Sequence, residues 1–188
     1  MSLLSEAYRN ARVVESGRYQ TTVNELCDQL PALRPELLIE VAARLAEGIP
    51  STCTKLLVEE DKGAVIGAAV SMMSGISLAM ARDYAYALPG IPVRYKSEYT
   101  GGQLYVNGVE AGDEVTIVDD TISTGGVVLA LIDAVASVGG TVTHVVAAVD
   151  KVDNGGTERI RKQTGAEVST LISIRIIDGA VHVVDEAY

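Results

Sequence analysis

The sequence predicts an α/β protein with a mainly parallel, twisted sheet flanked by helices. From Lys55 onward, short β-branched runs alternate with apolar segments of helical length, which is typical of parallel strands joined by helical crossovers. One of these runs, 115–118, ends abruptly in acids, hydroxyls and glycines before an apolar helix begins. With 188 residues, 48% of them hydrophobic and 21% charged, the chain is long enough for one domain with a sizeable core, and disorder is excluded.

The first part of the chain contains one clear helix and the start of the alternation. Residues 1–30 are predicted to be irregular and polar, with a strand-like run only at 18–23. A helix is predicted from Pro35 to Gly48, because proline suits a first helical position and apolar residues then recur at helical spacing. The next predicted elements are a strand at 55–58, a charged turn at 59–62, a helix at 63–74 and a strand at 76–80.

A long interruption at 82–102 separates these elements from the central run. A loop of this length inside a compact domain is usually disordered or a functional lid, and residues 104–109 are predicted to form a tight hairpin at its base. The remaining predicted elements are a helix at 127–138, a strand at 142–149, a short helix at 157–164 and a terminal hairpin at 171–184. The terminal hairpin falls outside the parallel alternation and is expected to lie over one end of the sheet.

The central run, 115–128, predicts a buried strand, a polar loop and a helix N-terminus, which is the usual place for an anionic ligand in an open α/β sheet. Glycine lets the backbone approach a ligand closely, and the first helical amides have no partner within the helix. The groups that can point at one phosphate are the hydroxyls of Thr121, Ser123 and Thr124 and the amides of Gly125 and Gly126.

Two adjacent acids, Asp119 and Asp120, come directly before this loop. Carboxylates repel phosphate, so these side chains are predicted to accept hydrogen bonds from sugar hydroxyls or to face a hydrated Mg²⁺. The alternative is that the polar residues merely cap the helix. Two acids, three hydroxyls and a double glycine after one buried strand favour the ligand site over the cap.

Composition excludes several classes of partner. Fifteen basic and 25 acidic residues give a net charge of −10, which disfavours binding to nucleic acid or an anionic membrane. Cys27 and Cys53 lack metal-type spacing and no signal peptide is apparent, so reduced thiols in a cytoplasmic protein are expected. The uncharged stretch at 63–81 has the length of a membrane span, but its glycines and serines favour a helix followed by a strand.

Residues 116–128 resemble the phosphoribosyl-pyrophosphate signature of the type I phosphoribosyltransferases, in which four apolar residues and two acids precede a hydroxyl-rich loop ending in Thr-Gly-Gly. Within that family, the chain is most similar to the archaeal purine branch of the hypoxanthine/guanine type. The similarity lies in the lead-in at 104–107 and the tail at 171–186. The segment at 149–158 is also similar to orotate enzymes.

The resemblance implies one phosphoribosyltransferase domain over residues 1–188 with the type I fold. Its expected parts are a core at about 50–170, a small hood from about 13–30 and 171–185, and a flexible lid loop at about 83–103. The resemblance also implies a homodimer, a state that no pattern in the residues themselves indicates.

The reaction implied by the resemblance transfers ribose 5-phosphate from phosphoribosyl pyrophosphate to hypoxanthine or guanine in purine salvage, with Mg²⁺-bound pyrophosphate leaving. The hydroxyl and glycine loop then binds the 5-phosphate. Asp119 and Asp120 bind the ribose hydroxyls and contact Mg²⁺ only through water or the ribose. The run from Glu59 to Gly63, which ends in Asp61, Lys62 and Gly63, is similar to the pyrophosphate loop of the family, where Lys62 and the Gly63 amide are expected to hold the diphosphate.

Several cations are assigned by the same resemblance. Arg82 is expected to reach pyrophosphate, although the next residue is Asp83 where the family usually has lysine. Arg94 and Lys96 on the lid are expected to compensate for that lost cation, across a dimer interface as in related enzymes. Lys151 occupies the place where 6-oxopurine enzymes hold a lysine against the purine carbonyl, and because an ammonium only donates hydrogen bonds it suits hypoxanthine or guanine.

Two alternatives stay open at this point. The acceptor base is adenine or orotate instead, or the protein is a non-catalytic regulator that binds phosphoribosyl pyrophosphate. A regulator of the repressor type needs a helix-turn-helix or a basic face, and a net charge of −10 argues against one.

Overall fold

The structure, a computed structural model, describes residues 1–17, 19–85, 90–96 and 101–187. Helices in this part of the chain are α1 (Leu3–Arg9), α2 (Pro35–Glu47), α3 (Glu60–Ser74), α4 (Gly126–Ser137) and α5 (Gly156–Thr164). Strands are β1 (Arg12–Ser16), β2 (Tyr19–Val23), β3 (Lys55–Glu59), β4 (Ser77–Arg82), β5 (Ile91–Lys96), β6 (Gly101–Asn107), β7 (Glu114–Ile122), β8 (Thr141–Lys151), β9 (Glu167–Ile177) and β10 (Ala180–Glu186).

The main sheet has the strand order β10-β9-β8-β7-β3-β4-β6-β5. Its centre, from β9 to β4, is entirely parallel, whereas β10 at one edge and the pair β6-β5 at the other run antiparallel to their neighbours. The predicted α/β fold with a mainly parallel sheet is therefore confirmed.

Helices cover both faces of this sheet, and each face has its own apolar cluster. Helices α2 and α3 pack on one face, where they meet Val118 of β7. Helices α4 and α5 pack on the other, where they meet Ile117 of the same strand. Successive residues of a strand point to opposite faces, so a central strand covered on both sides reads as a continuous apolar run.

The parallel arrangement positions the functional residues. Strands β3, β7 and β8 run in the same direction and end at Glu59, Ile122 and Lys151. Their carboxyl ends therefore lie along one edge of the sheet, where ligands bind in open α/β folds.

The prediction that residues 1–30 are irregular outside 18–23 is wrong. Helix α1 and strand β1 occupy part of this segment, and β1 pairs with β2 in a separate two-stranded sheet. Leu4 and Tyr8, one helical turn apart, are fully buried in the core, while Glu40 accepts hydrogen bonds from the first amides of α1. Contacts with the rest of the fold thus stabilise a helix too short to form alone.

Most of the described residues in the segment predicted as a lid loop at 83–103 are strand. Strands β5 and β6 pair antiparallel and extend the main sheet beyond β4, while the rest of the predicted lid at 86–89 and 97–100 lies outside the described residues. The hairpin predicted at 104–109 is also wrong, because residues 104–107 belong to β6. Ile91, Val93 and Tyr95 on alternate positions of β5 pack against the apolar cluster beside α4, which accounts for strand structure in a region with many turn signals.

Two smaller predictions also need correction. The charged residues predicted as a turn at 59–62 instead begin α3, with Glu59 as its N-cap and its side chain accepting a hydrogen bond from the Asp61 amide at 3.0 Å. The terminal hairpin exists, but β9 pairs parallel with β8, so the hairpin continues the edge of the sheet instead of lying over its end.

Candidate active site

A cavity of about 440 Å³ opens at the carboxyl edge of β3, β7 and β8. It brings together most of the residues predicted to form the site, which are Asp61, Lys62, Asp119, Asp120, Thr121, Ser123, Thr124, Gly125, Gly126 and Lys151. Gly63, Arg82 and Lys96 do not line it within the described part of the chain. Gly63 instead is buried where α3 packs on Val58.

The loop between β7 and α4 has the geometry of an anion site. Gly125 caps α4 with a φ of 73°, a conformation that favours glycine, and Gly126 begins the helix. The carbonyl oxygen of Lys96 lies so close that a Cβ at Gly126 would collide with it. The backbone amides at this end of α4 have no helical partner and can bind an anion.

The segment that follows β8 supports this loop from outside the cavity. Asn154 donates a hydrogen bond from Nδ2 to the hydroxyl oxygen of Ser123 at 2.6 Å, and Arg159 donates one to the carbonyl of Thr124 at 3.2 Å. Gly156 packs so closely that a Cβ there would collide with the Ser123 carbonyl. The loop backbone is therefore held on two sides before any ligand binds.

The two acids at the end of β7 face different surroundings. Asp119 is partly exposed at the cavity wall, and its Oδ1 accepts a hydrogen bond from the Asp120 amide at 3.0 Å, while Asp120 is only 6% exposed. Burial, followed by the charge of Asp120, raises the pKa of Asp119 well above its usual value. Burial likewise raises the pKa of Glu59. This wall accepts hydrogen bonds and suits ligand hydroxyls or a hydrated cation.

Lys62 supplies positive charge to the same cavity. Its ammonium lies 2.9 Å from Oδ1 of Asp28, a residue of the segment after β2. Burial opposes the charge of Lys62, but the hydrogen bond to Asp28 and the charge of Asp120 raise its pKa above the usual lysine value. The side chain is therefore cationic at any physiological pH.

The side chains of the other predicted cations do not line the cavity. Arg82 forms a 2.8 Å ion pair with Glu60, whereas its neighbour Asp83 lines the cavity. Arg94 and Lys96 are exposed positions of β5. This end of the cavity thus exposes an acid where the resemblance leads one to expect a base.

Lys151 also lines the cavity and is only 5% exposed. Its ammonium donates a hydrogen bond to the carbonyl of Gln20 on β2 at 3.3 Å. It also borders a second cavity of about 340 Å³, lined in addition by Tyr19, Gln20, Asp153, Asn154, Ile174, Arg175 and Ile176. The β1–β2 hairpin therefore meets the core at this lysine.

Sequence reasoning missed several residues of the site. Thr21, Thr22, Cys27 and Tyr95 also line the main cavity, and the Tyr8 hydroxyl contacts Thr121 of the cavity wall. No local motif marks these residues, because each reaches the site only through tertiary packing.

Curated relatives match nearly the whole chain. A hypoxanthine/guanine phosphoribosyltransferase from Methanothermobacter thermautotrophicus is 36% identical over 183 residues, which are 97% of this chain and 94% of the relative. The protein of the same name from Methanocaldococcus infernus is 36% identical over 180 residues, covering 95% and 97% of the two chains. The chain belongs to the hypoxanthine/guanine phosphoribosyltransferase family.

Solved structures agree with the fold of this phosphoribosyltransferase family. Adenine phosphoribosyltransferase from Rhodothermus marinus superposes with a TM-score of 0.73 at 24% identity, covering 90% of this chain and 97% of that one. The enzyme of that name from Thermoanaerobacter pseudethanolicus gives 0.74 at 22% identity, with 90% and 99% covered. At this identity the likeness concerns the fold alone, which is the type I phosphoribosyltransferase fold. No model of a protein family matches the chain.

Among the described residues, no helix combines the length and the apolar character needed to cross a bilayer. The uncharged stretch at 63–81 divides into α3 and β4, with Gly75 between them at a φ of 72°.

Proposed function

We propose that this protein transfers ribose 5-phosphate from phosphoribosyl pyrophosphate to hypoxanthine or guanine and releases pyrophosphate, as an enzyme of purine salvage. One observation carries the proposal: a single cavity has the phosphate-type loop on one wall and the buried ammonium of Lys151 on another. The names of the curated relatives support the same substrates.

The loop after β7 anchors the 5-phosphate. Its amides at Gly125 and Gly126 and its hydroxyls donate hydrogen bonds, and the N-terminus of α4 favours the negative charge. This phosphate does not change its charge during the reaction. Its role is therefore to place the sugar for attack, which accounts for a rigid loop supported from behind.

Asp119 and Asp120 accept hydrogen bonds from the ribose hydroxyls in this proposal. Positive charge develops on the ribose in a transition state of oxocarbenium character, and two fixed carboxylates beside the sugar stabilise that charge. Lys62 lines the same cavity, where its ammonium binds the departing pyrophosphate.

The residues present also fit Mg²⁺ brought in by the substrate. The described part of the chain contains no group of three or more His, Cys, Asp or Glu side chains arranged to hold a metal ion by themselves. Mg²⁺ in proteins keeps several waters and is held by one or two carboxylates together with substrate phosphates, a role that Asp119 and Asp120 can fill through water or the ribose. When bound, Mg²⁺ neutralises charge on pyrophosphate.

Lys151 selects the base. Its ammonium has three donors and no acceptor, so it pairs with the carbonyl oxygen of hypoxanthine or guanine and opposes the amino group of adenine. The hydrogen bond to Gln20 fixes the ammonium from the side of the hairpin.

Replacing Lys151 with methionine is expected to lower kcat/KM for hypoxanthine and guanine by about 10–100-fold, since a hydrogen bond from a charged group contributes that much. KM for phosphoribosyl pyrophosphate should stay within about twofold. Turnover of hypoxanthine, guanine, adenine and orotate is measured separately with Mg²⁺ for both proteins. A wild type that prefers adenine or orotate would contradict the role given to Lys151 while retaining the reaction.

A second candidate, a regulator that binds phosphoribosyl pyrophosphate without turnover, is favoured by one observation. Asp83 lines the cavity while the neighbouring Arg82 is paired with Glu60, so cations beside the leaving group are few.

Replacing Asp83 with lysine is expected to lower KM for phosphoribosyl pyrophosphate by several-fold, because the repulsion between the Asp83 carboxylate and the pyrophosphate becomes an attraction. Steady-state kinetics at low salt measure this effect, and Asp83→Asn separates loss of the acid from gain of the base. Binding without turnover in the wild type, with turnover in Asp83→Lys, would establish the regulator instead.

We further propose a cytoplasmic homodimer. Both cysteines, Cys27 and Cys53, are free and buried, as suits a reducing compartment. Helix α3 exposes Val65, Met72 and Met73 on its outer side, an apolar surface that a second copy would cover. Sedimentation of the wild type against Met72→Glu tests the dimer.

A further inference from the structure

Tyr8 connects the N-terminal helix to the phosphate loop. Its hydroxyl oxygen lies 3.1 Å from Oγ1 of Thr121 and 3.1 Å from Sγ of Cys27, and the whole residue is inaccessible to solvent. Thr121 is partly exposed and lines the cavity. A buried phenol outside the signature thus contacts one of the hydroxyls assigned to the 5-phosphate.

Hydrogen-bond chemistry decides the direction of this contact. The geometry allows either hydroxyl to donate, and Sγ of Cys27 also lies 3.8 Å from Oγ1 of Thr121. Because an oxygen is a better acceptor than sulfur, we assign the single proton of Tyr8 to Oγ1 of Thr121. Burial raises the pKa of the Cys27 thiol, and the charge of Asp120 raises it further. Burial also raises the pKa of the Tyr8 hydroxyl, with smaller contributions from Cys27 and Asp120. Both groups therefore keep their protons at neutral pH.

The position of Tyr8 is fixed by the rest of the fold. Helix α1 is held at its start by Glu40, which accepts hydrogen bonds from the amides of Leu3 and Leu4 at 3.0 and 3.1 Å. Ser5 donates a hydrogen bond to Glu186 of β10 at 2.8 Å. Because helix α1 is fixed by these contacts, the Tyr8 hydroxyl keeps the Thr121 side chain in one orientation.

We infer that Tyr8 is a positioning residue for phosphate binding: by donating to Oγ1 of Thr121 it directs the Thr121 proton into the cavity, toward the 5-phosphate. This inference rests on the proposed function, because it takes the loop to be the 5-phosphate site. If the Thr121 hydroxyl already has the orientation that binds a phosphate oxygen, little rotational entropy is lost when the ligand binds. The free energy of binding is then more favourable. The same phosphate charge is present in ground and transition states, so the benefit appears in binding and not in kcat.

The test is the affinity of the full-length protein for ribose 5-phosphate, measured by calorimetry. Tyr8→Phe keeps the ring and removes only the hydroxyl, and it is expected to weaken binding by about tenfold. In a Thr121→Val background, Tyr8→Phe should change the affinity by less than about twofold, because its target hydroxyl is already gone. In kinetics, KM for phosphoribosyl pyrophosphate should rise while kcat stays within about twofold.

Ser5→Ala is the matched control, since it removes another buried hydroxyl from α1 without touching Thr121. An equal loss of affinity in Ser5→Ala, or additive losses in the double variant, would mean that Tyr8 acts only through stability and would overturn the inference. In the wild type, ribose 5-phosphate should also shift the NMR signal of the Tyr8 ring carbon that bears the hydroxyl, and an unshifted signal would equally overturn it.

The proposed function and this inference can fail separately. If the variants bind ribose 5-phosphate with the expected affinities but the wild type turns over no base, the proposed reaction is wrong and the role of Tyr8 stands. Turnover with equal affinities in wild type and Tyr8→Phe would keep the reaction and remove the role of Tyr8. A wild type that does not bind ribose 5-phosphate would overturn both.

Discussion

Replacing Asp119 and Asp120 together with asparagine is expected to lower turnover by at least about 10³-fold while the protein still folds. Asparagine has nearly the same shape, and its side-chain oxygen can still accept the hydrogen bond that Asp119 receives from the Asp120 amide. The charge that stabilises the developing oxocarbenium ion is lost. Single-turnover kinetics measure the rate, and far-UV circular dichroism checks that the double variant is folded. Normal turnover in a folded double variant would contradict the assignment of Asp119 and Asp120 to the site.

The single variant Asp119→Asn should in addition be more stable than the wild type at neutral pH. Burial and the charge of Asp120 raise the pKa of Asp119 in the folded protein above the 3.8 of an unperturbed aspartate. Between these two values the folded state binds more protons than the unfolded state, so the free energy of unfolding falls as the pH rises through this window. The raised pKa of Asp119 therefore lowers the free energy of unfolding at neutral pH.

Replacing Asp119 with asparagine removes this titration and is expected to increase the free energy of unfolding at neutral pH by about 1 kcal/mol, or Tm by about 2–4 °C. Below the ordinary carboxyl pKa the difference between wild type and Asp119→Asn should vanish, since both are then neutral at this position. Thermal unfolding at several pH values measures the difference. A gain that is independent of pH would show that packing and not charge is responsible.

Gly156→Ala should damage the phosphate loop from a residue outside the cavity. A Cβ at this position would collide with the carbonyl oxygen of Ser123 and come within 2.7 Å of the Gly125 amide nitrogen. Both neighbours are backbone of the loop, so they can only yield by moving it. KM for phosphoribosyl pyrophosphate is expected to rise at least about tenfold, with a loss of about 1–3 kcal/mol in the free energy of unfolding.

Gly155→Ala is the control for this effect. Gly155 has a φ of 67°, but a Cβ there meets nothing within 4 Å. The control should lose about 1 kcal/mol from backbone strain while KM stays close to that of the wild type. Equal changes in KM for the two variants would indicate general loosening of the segment after β8.

The order of strands and helices from β3 to β4, and again from β7 onward, could be predicted from the sequence because the signals there are local. A β-branched run, a polar glycine loop and an apolar helix follow one another within 115–128, and the same backbone rules act wherever such a run occurs. The cluster of loop residues around the cavity follows from that order, since parallel strands bring their carboxyl ends to one edge.

Tertiary structure alone decided the elements whose local signal was weak. Helix α1 has seven residues and depends on the burial of Leu4 and Tyr8, and β5 depends on packing beside α4 in a segment with many turn residues. Propensity is small per residue in such segments, so contacts from distant parts of the chain determine their structure.

The hydrogen-bond and ion-pair partners of the charged and polar groups likewise could not be predicted from the sequence. Arg82 pairs with Glu60 and Lys62 with Asp28, while Tyr8 meets Thr121 across 113 positions of the chain. Sequence alone determined which residue types form the phosphate loop, because loop, acids and glycines are contiguous. The folded structure determined which groups hold them in place, because hydrogen bonds and ion pairs act over a few ångströms in space and without regard to separation along the chain.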